Sequence, residues 1–209
     1  MRGSGLGQFG QPVQVGQEPG MFTLPSGQSI NLVDWRNGAI YDRVSLGTSI
    51  TAGQEFVYFR DIQSKNLLDT NLTTPNRLPN DWEAIVWRIG VAIDMDVTNA
   101  DILLLMRGGY LEFKIAQTLY AQGPIWMFPS GYGIYGAFAS GGSTAATATL
   151  YVNSNGAPSP AGVIKLDIPL YINKNTDFQG LIKYYSAETL GAATLVYMVL
   201  DGWIKRPVR

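Results

Sequence analysis

Three acidic residues in the segment DMDVTNAD, Asp94, Asp96 and Asp101, are the side chains best suited to chemistry in this sequence. Closely spaced carboxylates can bind a hard cation such as Ca²⁺, which prefers oxygen ligands. The segment lacks the mid-loop glycine and the distal glutamate of an EF-hand loop, and Asp and Asn also favour turns because they hydrogen-bond to nearby backbone. We interpret the segment as a strand end followed by a capped turn, with a metal site as the weaker alternative.

The chain contains no histidine and no cysteine. Their absence removes the commonest general base and metal ligand, and with them an ordinary serine triad, a zinc site and a disulfide framework. A glycoside hydrolase would need two carboxylates facing one sugar site, and nothing in the spacing of Asp81, Glu83 and Glu112 selects a pair. We therefore expect no catalytic residues, no cofactor and no enzymatic activity.

The surface is predicted to carry little charge. Of 209 residues 15% are charged, against about 25% in an average soluble domain, and the net charge is −1. So small a charge creates no field that concentrates nucleic acid, so we expect no sequence-specific nucleic-acid binding. We also expect neither a transmembrane segment nor a secretory signal, because no apolar run approaches about 20 residues and no basic start precedes one. Low charge suits a protein whose faces are covered by neighbours.

Residues 1–30 are rich in glycine and glutamine and carry only two charges, Arg2 and Glu18. This composition cannot form a core of its own. Two interpretations remain: a disordered tail, or an extended arm that becomes ordered against a partner. Its apolar residues favour an assembly arm, and they are Phe9, Val13, Val15, Met21, Phe22 and Leu24. Residues 31–209 are predicted to form a single domain.

From about residue 38 onward apolar and polar residues alternate, as in strands with one buried face. In the longest run, 82–96, the predicted buried face is Ile85, Trp87, Ile89, Val91, Ile93 and Met95. Other strands are predicted near 39–46, 54–60, 110–115, 119–128, 133–139, 146–152, 164–172, 178–185 and 194–204. The segment TNADILLLMRGG predicts one short helix, capped by Asn99 and ended by Gly108 and Gly109. Many strands with one short helix indicate an all-β sandwich.

Aromatic residues are numerous, with five tryptophans and eleven tyrosines. Exposed rings could stack on sugars, so a carbohydrate-binding sandwich used for host attachment is an alternative function. Tyr132 and Tyr135 lie in a segment rich in Gly, Ser and Ala and are predicted to be exposed aromatic contacts.

Three segments together resemble structural proteins of tailless icosahedral bacterial viruses, some of which enclose a membrane. They are FVYFRDIQSKNLLDTNLTTPNRLPNDWEAIVWRIGVAI (56–93), IPLYINKNTDFQGLIKYY (168–185) and VYMVLDGWIKRPVR (196–209). The shared pattern is a DTN…LP turn before a long strand, a P-x-Y-I strand that leads through a loop to an aromatic strand, and a closing LDG…R-x-V strand. The resemblance covers roughly residues 54–209 apart from a variable middle, and residues 1–30 lie outside it.

The resemblance implies a single jelly-roll capsid protein: an eight-stranded antiparallel sandwich with one short helix and an extended N-terminal arm. It supplies no catalytic residues, and it implies that edge strands, loops and the N-terminal arm make the contacts between subunits. It implies that the partner is a second copy of the chain, in a trimer or pentamer within a larger shell, together with other virion proteins and, where a membrane lies inside, a peripheral contact with it. The expected location is the virion, assembled in the host cytoplasm.

Overall fold

The structure is a computed structural model, and it describes residues 21–24, 27–94, 97–131, 137–140, 149–152 and 165–205. One α-helix, α1, spans Asn99–Gly108, and a 3-10 helix, η1, spans Ile125–Met127. The strands are β1 Met21–Thr23, β2 Ser29–Asn31, β3 Trp35–Ser45, β4 Ser49–Ile50, β5 Glu55–Tyr58, β6 Glu83–Ile93, β7 Gly109–Ile115, β8 Thr118–Pro124, β9 Ala137–Ser140, β10 Thr149–Val152, β11 Leu170–Ile172, β12 Phe178–Tyr184, β13 Glu188–Thr189 and β14 Leu195–Lys205.

Eight of these strands form two antiparallel sheets of four. The first sheet has the order β11-β6-β14-β3, and the second sheet has the order β5-β12-β7-β8. Three two-stranded pairs complete the described strands: β1 with β2, β9 with β10, and β4 with β13.

The two sheets share one apolar core, to which strands of both sheets contribute side chains from their inner faces. Met198 on β14 reaches across to β12, where a Cβ added at Gly180 would overlap its sulfur atom. The buried side chains contributed by the two sheets include Ile40, Ile89, Val91, Met198, Leu200, Leu111, Phe113, Phe178 and Ile182. The predicted all-β sandwich is confirmed.

A β-bulge divides β6 into two halves with opposite side-chain phase. Arg88 pairs with Asp201 and Val86 with Gly202, so Trp87 between them has no partner on β14. Ile85 therefore belongs to a second cluster outside the main core, while Val86 lies inside it. The prediction that Ile85 and Trp87 share a face with Ile89 was wrong, since alternation holds only while the ladder is regular.

Gly202 makes the bulge sterically possible. A Cβ at this position would overlap the carbonyl oxygen of Ile85 on the neighbouring strand. The carbonyl of Trp87 accepts a hydrogen bond from the backbone N–H of Leu166, at 2.8 Å. Glycine inside a strand often marks such a close approach.

The predicted helix is confirmed, with its cap shifted by one residue. Thr98 is the N-cap, and its hydroxyl accepts a hydrogen bond from the N–H of Asp101 at 3.2 Å. Gly109 ends the helix in an extended conformation and begins β7 directly.

The strand predicted at 164–172 is shorter than expected, since β11 begins only at Leu170, after Pro169.

Candidate assembly surfaces

The open edge of β3 is covered by the side chains of the DTN motif. The amide of Asn71 donates to the carbonyl of Ala39 at 2.6 Å and accepts from the N–H of Tyr41 at 3.1 Å. The hydroxyl of Thr70 donates to the carbonyl of Tyr41 at 2.9 Å. Since β3 is the last strand of its sheet, these bonds take the place of a neighbouring strand.

Asp69, the first residue of the motif, fixes the turn and holds it to β3. One of its carboxylate oxygens accepts from the N–H of Asn66 at 2.9 Å, and the other pairs with the guanidinium of Arg43. A three-residue motif thus satisfies backbone groups that would otherwise be free to pair with another chain.

A buried carboxylate on β3 anchors the beginning of the same loop. Asp42 is fully buried and accepts from the N–H of Phe59 at 2.6 Å and from the ammonium of Lys65 at 2.8 Å. Phe59 has φ 69°, an uncommon conformation for a large side chain, which the hydrogen bond to Asp42 supports. Asp42 carries no signal in the sequence, because an Asp at a core-facing strand position has no distinguishing spacing.

The hairpin β1–β2 covers an aromatic surface on the outer face of the first sheet. Trp203 and Trp87 meet edge to face with ring centroids 4.4 Å apart, and Phe22 of the hairpin meets Trp203 at 5.5 Å. Leu24 and Ile30 are buried in the same cluster. The bulge in β6 is what places Trp87 here rather than in the main core.

The residues predicted to form an assembly arm divide into two groups. Phe22 and Leu24 pack on the subunit's own sheet, and Met21 begins the hairpin opposite Asn31. Phe9, Val13 and Val15 lie outside the described residues, as do the predicted contact residues Tyr132 and Tyr135.

The acidic segment is engaged in structural bonds where the structure describes it. The carboxylate of Asp101 accepts from the N–H of Gly191 at 3.1 Å and is buried. Asp94 lies near enough to Arg43 to affect its pKa. Burial lowers the pKa of Arg43, but the hydrogen bond of Arg43 to Tyr197 and the charges of Asp69 and Asp94 outweigh burial, so the pKa is raised. Asp96 is outside the described residues. Among those described, no group of three potential ligands could hold a metal ion.

Of the carboxylates considered for hydrolysis, Asp81 lies in the turn before β6, and Glu83 and Glu112 lie on different sheets. Glu83 on β6 accepts a hydrogen bond from the hydroxyl of Tyr171 at 2.8 Å. Burial, this hydrogen bond and the charge of Glu83 raise the pKa of Tyr171 to about 12. Glu112 lies on β7 of the second sheet and pairs with Lys114 at 2.7 Å. The fold therefore does not bring Glu83 and Glu112 to one sugar-binding site.

An open cleft of about 480 Å³ lies beside the β7–β8 turn. Its lining includes Arg77 and Asp177, which form an exposed ion pair, and the hydrogen bond from Arg77 lowers the pKa of Asp177. The one aromatic residue that lines the cleft, Phe178, is buried. None of the lining residues therefore offers an exposed ring on which a sugar could stack.

Strand β8 and the 3-10 helix after it expose apolar side chains that the strand pattern did not predict. Leu119, Tyr120, Trp126 and Met127 are all exposed. A usable signal was present, because residues 118–130 contain no charged side chain.

The described helices include none long and apolar enough to cross a membrane. A comparison with protein-family models found no model that matches the chain, and a comparison with curated proteins found no match either.

Proposed function

We propose that this chain is a capsid subunit with a jelly-roll fold, whose function is to assemble with copies of itself into an icosahedral shell. The order of its strands carries the proposal. Eight strands make up the two four-stranded sheets, and in chain order they are β3, β5, β6, β7, β8, β11, β12 and β14. The first of them pairs with the eighth, the second with the seventh, the third with the sixth and the fourth with the fifth. These are the pairs of a long antiparallel hairpin rolled into two sheets, as in jelly rolls.

The treatment of the sheet edges supports an assembly role. Jelly rolls leave open edges that must be paired or covered. Here the DTN side chains cover β3, and β5 and β11 have only four and three residues. At these three edges contacts between subunits are left to side chains and loops, and the low charge of the chain allows such contacts without strong repulsion.

In this proposal the partner is the chain itself, in trimers or pentamers within a larger shell, with other virion proteins and an internal membrane as further contacts. The subunit is located in the virion and assembles in the host cytoplasm. Residues 1–20 act as the arm that reaches a neighbour, because the hairpin that follows them is already packed on its own subunit.

Light scattering and negative-stain microscopy of the purified protein test the proposal. We expect closed oligomers or shells whose abundance rises with concentration. A variant lacking residues 1–20, which retains β1–β2, should keep the melting temperature of the intact chain but assemble less. The Asn80→Ala variant, altered at an exposed loop position, is the control and should assemble normally.

A protein that stays monomeric at high concentration, with and without residues 1–20, would contradict the proposal. Binding on a glycan array by that monomer would instead favour the carbohydrate-binding alternative, and loss of binding in Tyr132→Ala or Tyr135→Ala would assign it to those residues.

A further inference from the structure

Strand β8 is the outer strand of the second sheet and pairs only with β7 among the described strands. Thr118, Leu119, Tyr120 and Gln122 are exposed along it. With seven residues it is longer than the edge strands β5 and β11, and the described residues supply no set of loop side chains along it comparable to those that cover β3. It is therefore the least protected long edge in the described part of the chain.

Apolar side chains extend this edge onto η1. Leu119 is 40% exposed, Tyr120 50%, Trp126 61% and Met127 38%. A Cβ added at Gly123 would lie 3.3 Å from the sulfur of Met127, so η1 folds back beside the end of β8. We call these four residues the β8–η1 surface.

We propose that the β8–η1 surface binds the same surface of a second copy of this chain across a two-fold axis. A two-fold contact places a patch against a copy of itself, so a patch with a net charge would repel its partner. The thirteen residues 118–130 carry none, and the net charge of the chain is only −1. This contact needs only two subunits, so the dimer can form whether or not a shell assembles. The inference therefore goes beyond the proposed function.

Side chains, rather than a long backbone ladder, hold this contact together. The register of β8 against β7 shifts at Tyr120, and Pro124 has no N–H to donate. Both features limit pairing along the edge to a few residues. Trp126 has the largest ring and the greatest exposure of the four, as expected of the residue that dominates an interface.

The size of the surface sets the expected affinity. At 150–250 Å² for a buried aromatic side chain, the exposed parts of Tyr120 and Trp126 supply roughly 200 Å² per copy, and Leu119 and Met127 add less than that. A standard interface buries about 800 Å² per partner. We therefore expect a weak dimer that forms at high concentration.

Sedimentation equilibrium over a range of concentrations measures this dimer. Trp126→Ala should weaken dimerisation by about 30-fold or more, the effect of losing a dominant interface residue. Leu119→Lys should weaken it as well, because it adds a positive charge to the contact surface of both copies. Leu67→Lys is the matched control, a highly exposed leucine away from this surface, and should dimerise normally. Thermal unfolding checks that every variant is folded.

Single cysteines identify the contact directly, since the natural chain has none. Under mild oxidation Gln122→Cys or Thr118→Cys, exposed on β8 beside the four apolar residues and leaving them in place, should give disulfide-linked dimers much faster than Leu67→Cys, whether the protein is dimeric or in larger particles. Equal rates would overturn the proposal, as would a dimer that survives both surface variants. Loss of the dimer on deletion of residues 1–20 alone would show that the arm, not a second β8–η1 surface, is the occupant. If variants that cannot dimerise still form particles, the shell forms without the β8–η1 contact. The proposed shell and the proposed dimer are thus tested independently.

Discussion

Asp42 is the residue whose charge matters most to the subunit. Its carboxylate is fully buried and pairs with Lys65, which is itself largely covered. Removing one member of a buried pair leaves the other charge without compensation. We expect Asp42→Asn to lower the free energy of unfolding by about 3 kcal/mol.

Urea denaturation of the Asp42→Asn variant measures this loss. The exposed pair Arg77–Asp177 provides the comparison, and Asp177→Asn should unfold at nearly the same urea concentration as the natural chain. Adding Lys65→Met to Asp42→Asn should recover part of the stability. A double variant as unstable as the sum of its parts would mean that the two charges do not interact.

Buried tyrosine hydroxyls make the fold sensitive to alkali. The pKa of Tyr171 is about 12, above the value near 10 of an unfolded chain, and burial also raises the pKa of Tyr58 and Tyr184. Between these values the unfolded state has released a proton that the folded state retains. The stability that these tyrosines contribute is therefore fully present below about pH 10, and it is lost as the pH rises through their pKa values in the folded state.

Absorbance titration at the tyrosinate band tests this expectation. The difference between the natural chain and Tyr171→Phe should show a transition near pH 12, and denaturant midpoints should fall from about pH 10 upward. A difference centred near pH 10 would show that Tyr171 is not shielded by Glu83 and its surroundings.

Among the elements, the DTN loop has the clearest structural role. Asn71→Ala would leave the carbonyl of Ala39 and the N–H of Tyr41 without partners at the sheet edge. Unmet backbone groups of this kind cost about 1–3 kcal/mol and open the edge to other chains. We expect a lower thermal midpoint and aggregation on heating, while the control Asn80→Ala behaves as the natural chain does. An Asn71→Ala protein that melts normally would show that the loop does not protect the edge.

The elements themselves were largely predictable from sequence, but the faces of β6 were not. Alternation located the long strands, and TNADILLLMRGG located α1, because both patterns are local. The bulge at Trp87 depends on Gly202, which is 115 positions away and next to β6 only in the folded chain. For the same reason the Asn71 bonds to β3 could not be read from the DTN motif alone.

At the scale of the whole molecule, the two sheets are in close contact where Met198 faces Gly180. Gly180→Ala should lower stability by about 1–3 kcal/mol, because the added methyl group overlaps the Met198 side chain. Met198→Ala alone should also destabilise, through the cavity it creates. Together they should cost less than their sum, since the new methyl group occupies part of that cavity.

A double-mutant cycle in urea measures this coupling between the sheets. Strictly additive effects would mean that β12 and β14 do not pack against each other at this point. The sandwich class followed from the strand pattern, whereas the pairing of strands far apart in sequence depends on contacts that composition and spacing do not encode.

The loop that begins at Phe59 is fastened at both ends as well as along its length. The N–H of Phe59 donates to Asp42 and its carbonyl accepts from the N–H of Asn76, so the two backbone bonds of one residue close the loop. Between these fastenings Leu67 and Leu68 project outward, 77% and 76% exposed. The entropic cost of closing a loop rises only slowly with its length. A foreign peptide inserted between these two leucines should therefore be displayed on the surface without unfolding the sandwich, because it interrupts the turn between Asn66 and Asp69 but leaves the bonds of Phe59 and Asn71 in place.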